Sequence, residues 1–298
     1  MTAPWPQETS TAFLTVSSAR FFWLTVDSRD LIQKIPCLLF PRHLNNHFGV
    51  TRLQAVEHGA DVVETDIHLT SDGHLICCHD VSPRRTTNYE GPEDATWANL
   101  TLAEVKALDA GCRFDKASTE EPIRIPELRE AFQLLLDHPN VWLNVDMKAH
   151  VPQTAEKLHS MIGEFDLRQR VIVCSMNEKM LQQYRQLDPE APTGASPKEV
   201  VQFYTMHKIG LARFHGRKAD IYHLPTPKLV KKFSGWGIGT NLDTTDFIER
   251  AHALGQKVAY WSINDPEDIR TLLRAGADGV MTDCVDVAFK VFQEEGFR

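Results

Sequence analysis

Cysteine is scarce in this chain: six residues in 298, at positions 37, 77, 78, 112, 174 and 284, with no Cys-x-x-Cys pair. That spacing excludes a zinc ribbon or a disulfide scaffold, and thiols in a reducing compartment are expected. Long apolar runs are missing too. The stretch Phe21, Phe22, Trp23, Leu24 is bounded by Arg20, Asp27, Arg29, Asp30 and Lys34, so it falls short of the about 18 apolar residues that a membrane span needs. No basic, apolar, small-residue leader is evident, and a cytoplasmic location without a transmembrane segment is expected. Positive charge is in deficit, 32 Lys and Arg against 40 Asp and Glu for a net charge of −8. Nucleic acid, which is bound chiefly through clustered cations, is not an expected partner. With 16 Gly and 16 Pro and no low-complexity run, the composition is that of a globular protein with a sizeable core.

From about Pro36 onward, short β-branched or apolar runs alternate with segments of helical period, the pattern of parallel strands joined by crossover helices. Strands are expected at Cys37–Phe40, Asp61–Ile67, Val141–Asp146, Val171–Ser175, weakly near Thr193, and at Ala219–His223, Lys257–Ser262 and Gly279–Thr282. Helices are expected around Val50–His58, Glu127–Asp137, Gln153–Phe165, Glu178–Gln186, Pro197–Ile209, Thr245–Leu254 and Pro266–Ala275. Eight strands in about 260 residues suit a closed (β/α)8 TIM barrel, and a doubly wound open sheet shares the local pattern. Residues 1–35 read as an N-terminal arm and 36–298 as the barrel. One insertion, about 81–124, follows strand two and its hairpin partner Leu75–Cys78, being too long for a loop and too irregular for a βα unit.

Candidate chemistry gathers at strand ends. Glu64 and Asp66 lie two apart on one strand, so their carboxylates share a face and suit a hard cation, Mg²⁺ or Ca²⁺; solvated carboxylates on an edge strand are the plainer reading. Asp146 and Lys148 repeat the spacing at the end of a second strand, where barrel enzymes keep their active sites. His79 follows the apolar run Leu75–Cys78 and offers an imidazole able to exchange protons near neutral pH. Carboxylates for an ion, a lysine and a histidine together are what phosphoryl chemistry uses.

These residues resemble the glycerophosphodiester phosphodiesterase family. The stretch GADVVETDIHLTSDGHLICCHD (Gly59–Asp80) is similar to that family's strand-two signature. The likeness continues through RRTTN (Arg84–Asn88), IPELREAF (Ile125–Phe132), LNVDMK (Leu143–Lys148), FIERAHALGQKVAYWSIND (Phe247–Asp265) and GADGVMTD (Gly276–Asp283). The resemblance implies a TIM barrel with a small insertion after strand two and a metal-dependent hydrolase. Its substrates would be glycerophosphodiesters or related lysophospholipids, split to an alcohol and a glycerol phosphate. It further implies Glu64, Asp66 and Asp146 as metal ligands, Asp146 standing where the family usually has Glu. His79 would be a catalytic histidine, Lys148 a phosphate contact and Trp261 the aromatic bordering the cleft, if it is not simply core packing.

Strand one departs from the family's His-Arg-Gly order. Around Phe40-Pro41-Arg42-His43, Pro41 takes the place of the first catalytic histidine, Arg42 keeps that of the arginine, and His43 is the nearest substitute. Two other readings therefore stand beside the hydrolase: a catalytically silent barrel that still binds phosphate, and a phospholipase D-like lipase on the same fold.

Overall fold

The computed structural model describes residues 21–25, 56–57, 59–112, 122–148, 151, 153–215, 219–225, 242 and 244–298. The barrel begins with β1 (Phe21–Thr25), β2 (Val62–Leu69) and the short β3 (Leu75–Cys77), followed by α1 (Leu102–Ala107) and α2 (Leu128–Asp137). Then come β4 (Trp142–Met147), α3 (Gln153–Glu164), β5 (Val171–Cys174), α4 (Glu178–Leu187) and α5 (Pro197–Lys208). The chain continues through β6 (Ile221–Pro225), α6 (Thr245–Ala253), β7 (Lys257–Trp261), α7 (Pro266–Ala275), β8 (Gly279–Thr282) and α8 (Val285–Glu294).

Seven strands pair in parallel in the order β5-β4-β2-β1-β8-β7-β6, with β3 antiparallel on β2. Two parallel bridges, Val173 to Thr193 and Gly194 to Ile221, link the ends of that path and complete the circuit. The weak strand expected near Thr193 is thus only a two-residue rung, carried by Gly194 N–H to Val173 O at 3.0 Å and Asp220 N–H to Thr193 O at 2.9 Å.

The period-2 alternation of each strand sorts its side chains between two layers. Val63, Ile67, Leu143, Val145, Val171 and Val173 pack outward against Leu128, Phe132 and Leu158 of the helices. Val62, Ile172, Ile221, Ala259 and Met281 fill the interior, with Trp142, Cys174 and Trp261 packed on them. Glu64 and Asp66, in phase with Val62, therefore belong to the inner face. Helix starts are set locally: Pro197 opens α5 behind a Ser196–Glu199 capping box, and Asp265 caps α7 ahead of Pro266.

The first strand corrects the sequence reading. It is Phe21–Thr25, inside the segment read as an arm, and it pairs with both β2 and β8. Three aromatics, a leucine and a threonine are strong strand formers, and flanking charges that forbid a membrane span do not forbid a five-residue strand. The expected strand Cys37–Phe40 lies outside the described residues. Helix α8 is an addition, because its run of Val, Ala and Phe follows β8 without a strong stop signal.

The insertion packs Trp97, Leu100 and Val105 onto Ile76, Cys78 and Ile125 in a small separate core. Its anchor is the Thr-x-Asp-Gly turn after β2. Gly73 takes φ +83° there, a conformation open to glycine at little steric cost. Asp72 accepts from Leu102 N–H at 3.0 Å and so ties the start of α1 to the hairpin.

Candidate active site

The C-terminal ends of β2 and β4 lie side by side, with Glu64 opposite Asn144 and Asp66 opposite Asp146. Glu64 and Asp66 are buried. The Lys148 ammonium closes the arrangement, 3.0 Å from Asp66 Oδ1 and 2.7 Å from Asp146 Oδ2. Burial pushes the Asp66 carboxyl up to about 6, aided by the Asp146 charge and opposed by Lys148. Burial also works against the lysine's charge, but Asp146 and Asp66 outweigh it and hold Lys148 above the ordinary lysine range. The amine is a fixed positive charge at neutral pH.

His79 is brought beside this group by the hairpin. Cys78 N–H donates to Asp66 O at 3.0 Å, so the chain leaves β3 alongside the end of β2. Asp80 then turns back: its Oδ1 lies 3.1 Å from His79 Nδ1, while Arg85 holds the same carboxylate through Nε at 2.5 Å and Nη2 at 2.8 Å. Partial burial disfavours the Asp80 charge, and the bonds from His79 and Arg85 overcome it, keeping the carboxyl well below its usual range. An ionised Asp80 can only accept, so Nδ1 of His79 carries the hydrogen and Nε2 is left for proton exchange.

Two further bonds hold the backbone of this segment. Trp97 Nε1 donates to Asp80 O at 2.6 Å, and His68 Nε2 lies 3.2 Å from His79 O. Burial pushes the His68 imidazole down to about 4, so it is neutral and donates through Nε2. Asp80, Arg85, Trp97 and His68 were not singled out from sequence. Arg85 falls within the RRTTN motif, but its role depends on a turn in which Thr87 N–H and Oγ1 both bond Pro83 O, at 3.1 and 2.7 Å.

A cleft of about 480 Å³ opens over these groups, lined by His79, Asp80, Val81, Ser82, Met147, Lys148, Met176 and Asn177. Trp261 is not part of that lining and packs against the barrel-interior cluster. Arg42 and His43 lie outside the described residues. Among the described residues no three His, Cys, Asp or Glu side chains form a ready metal cage. The donor set nonetheless suits a hard cation, since Glu64, Asp66 and Asp146 are oxygen donors. Among the described residues Asp146 Oδ1 is buried without a hydrogen-bond partner, an oxygen that a cation would satisfy. No helix among the described residues is long and apolar enough to cross a membrane.

Comparison with known proteins bears on what this cleft does. The model of the glycerophosphoryl diester phosphodiesterase family matches residues 52–287. A glycerophosphodiester phosphodiesterase of Caldanaerobacter subterraneus is 30% identical over 246 residues, covering 82% of this chain and 90% of its own. Human lysophospholipase D is 22% identical over 250 residues, covering 77% and 76%. Among solved structures, an Oleispira antarctica phosphodiesterase in complex with the product sn-glycerol-3-phosphate superposes with a TM-score of 0.64 at 21% identity, covering 95% of this chain and 99% of that one. A glycerophosphoryl diester phosphodiesterase domain from Mycobacterium tuberculosis gives 0.68 at 16% identity, covering 91% and 98%. These structural likenesses establish the TIM-barrel fold, and the sequence matches establish that the chain belongs to the glycerophosphoryl diester phosphodiesterase family of phosphoric diester hydrolases.

Proposed function

We propose that the chain hydrolyses glycerophosphodiesters to an alcohol and a glycerol phosphate in the cleft above β2 and β4. The observation that carries this reading is the placement of His79 and Lys148 on one cleft wall system, with Asp66 and Asp146 bonded to that lysine. Lys148 offers a charge-assisted bond to a non-bridging phosphate oxygen. His79, oriented through Nδ1 by Asp80, exchanges a proton at Nε2 with the departing alcohol or the attacking oxygen. In-line transfer places those two oxygens on opposite sides of phosphorus, so a second proton-transfer group is required, and His43 with Arg42 beside it is proposed for that side. Glu64, Asp66 and Asp146 would hold Mg²⁺ or Ca²⁺, which when bound offsets charge on the phosphate oxygens.

A second substrate reading is favoured by the cleft rim. Val81 and Met176 are 55% and 64% exposed and both line the opening, so a diester carrying an apolar chain, a lysophospholipid, gains contact there. The test is release of glycerol phosphate or alcohol from glycerophosphocholine, glycerophosphoethanolamine and a lysophospholipid, each with Mg²⁺, Ca²⁺ or chelator. Metal-supported release from at least one diester is expected. No turnover of any of them would overturn the proposal, and undiminished turnover in chelator would remove the ion from it.

A further inference from the structure

The run from Val200 to Lys218 holds four Lys and Arg and no Asp or Glu, in a chain whose net charge is −8. Two of the four, Lys208 and Arg213, stand among the described residues, where the chain leads from α5 towards the start of β6. Helices of such a barrel run antiparallel to its strands, so this is the end of the barrel where strands begin, opposite the cleft. The backbone here is closely tied. Gly210 takes φ +74°, and Gly210 N–H to His207 O at 3.1 Å with Leu211 N–H to Met206 O at 2.8 Å ends α5 in a Schellman turn. A single 3-10 turn follows, Ala212–Phe214, with Phe214 N–H on Leu211 O at 2.9 Å. Ala212 is buried in the same core cluster as Phe203, and the buried His215 ring lies 5.5 Å from that of Phe203. With those two residues turned inward, Ile209, Leu211 and Phe214 are left 62%, 42% and 63% exposed.

We propose that Lys208, Ile209, Leu211, Arg213 and Phe214 dock the chain on an anionic phospholipid surface. Bulky apolar side chains carried outward on a braced turn, with cations among them, are what an interfacial segment requires. The Arg213 guanidinium lies over the Phe214 ring, 4.7 Å from its centroid, and the Lys208 ammonium over the Tyr204 ring at 5.3 Å. Each charge therefore rides on an aromatic body, so the rings and aliphatic groups can enter the boundary between headgroups and acyl chains while the cations stay at the level of the phosphates. Asp246 on the neighbouring α6 pairs with His207 and Arg250, and among the described residues no carboxylate pairs with Lys208 or Arg213. Charge also selects the occupant and the orientation. An anionic surface repels a chain of net negative charge except where cations gather, so the basic run is the end that approaches. A second copy of the same acidic chain gains less there than a layer of phosphates does. Docked in this way, the cleft faces water, where short-chain glycerophosphodiesters are dissolved. The docking face does not depend on what the cleft hydrolyses.

The experiment is co-sedimentation of the intact chain with vesicles of phosphatidylcholine and phosphatidylglycerol in equal parts, and with vesicles of phosphatidylcholine alone. Binding to the mixed vesicles that NaCl weakens is expected, with little binding to the neutral ones. Phe214→Ser should lower the partition by about tenfold or more, and Lys208→Ala combined with Arg213→Ala by a similar factor, roughly fivefold per charge. All three side chains are exposed, so both variants should keep the circular dichroism of the parent. Met176→Ser, at the rim of the cleft, should bind the vesicles as the parent does. Absence of binding to the mixed vesicles, equal binding to the neutral ones, or undiminished binding in either docking variant would overturn the proposal. Loss of binding in Met176→Ser would overturn it by moving the contact to the cleft. A dimer that Phe214→Ser dissociates, without vesicle binding by the parent, would overturn it by giving this face to a second copy of the chain.

Discussion

Asp66 and Asp146 are register partners on adjacent parallel strands, and a single ammonium, that of Lys148, bonds both of them at 3.0 and 2.7 Å. Burial and the neighbouring Asp146 raise the Asp66 carboxyl, and the lysine opposes that rise. Replacing the lysine changes charge and geometry together. Lys148→Met is expected to lower kcat/KM by about 10²-fold, the scale for losing an electrostatic contact to the reacting phosphate. Lys148→Arg should recover only part of this, since a planar fork cannot take the place of a compact ammonium between two oxygens. Steady-state kinetics of both variants checks this, and full activity in the methionine variant would contradict it.

Arg85 reaches His79 through Asp80. Arg85→Ala should therefore lower kcat by about tenfold, less than loss of the imidazole itself, while KM changes little. Asp80→Asn removes the acceptor that fixes the His79 tautomer, and its effect should equal or exceed that of Arg85→Ala. If Arg85→Ala raised KM alone, Arg85 would be a substrate contact and not a positioning residue.

At the opposite end of the barrel Asp278 accepts from His252 Nε2 at 2.6 Å, Lys257 Nζ at 2.9 Å and Val258 N–H at 2.9 Å. Burial disfavours its charge, but these partners prevail and hold its pKa below the ordinary 3.8. The folded chain thus binds fewer protons here than the unfolded chain. The stabilisation is complete above about pH 4 and is lost as pH falls through the lower, folded value. Denaturant unfolding should show Asp278→Asn to be less stable than the parent at pH 6, with the gap narrowing at pH 3. A gap independent of pH would exclude the ionised carboxylate as its source.

Much of this arrangement was legible in the sequence, because the governing signals are local. Period-2 alternation placed Glu64 and Asp66 on one face, and equal spacing at Asp146 and Lys148 brought the second strand into the same site. The His79–Asp80–Arg85 chain was not legible, since it depends on how an irregular insertion folds back. The first strand is Phe21–Thr25, and local sequence did not single it out because it is a short apolar run much like Cys37–Phe40; its place is set by non-local pairing with β2 and β8.

The central claim is that the cleft lined by His79 and Lys148 is where the diester is split, with His79 moving the proton. Its most direct test is the initial rate of glycerol phosphate release from glycerophosphocholine with Mg²⁺, compared between the parent chain and His79→Ala at equal fold content by circular dichroism. A fall of about 10²-fold or more is expected, the usual scale for loss of a general acid or base. A loss of about tenfold or less in a folded variant would contradict the account and move the proton transfer to another residue.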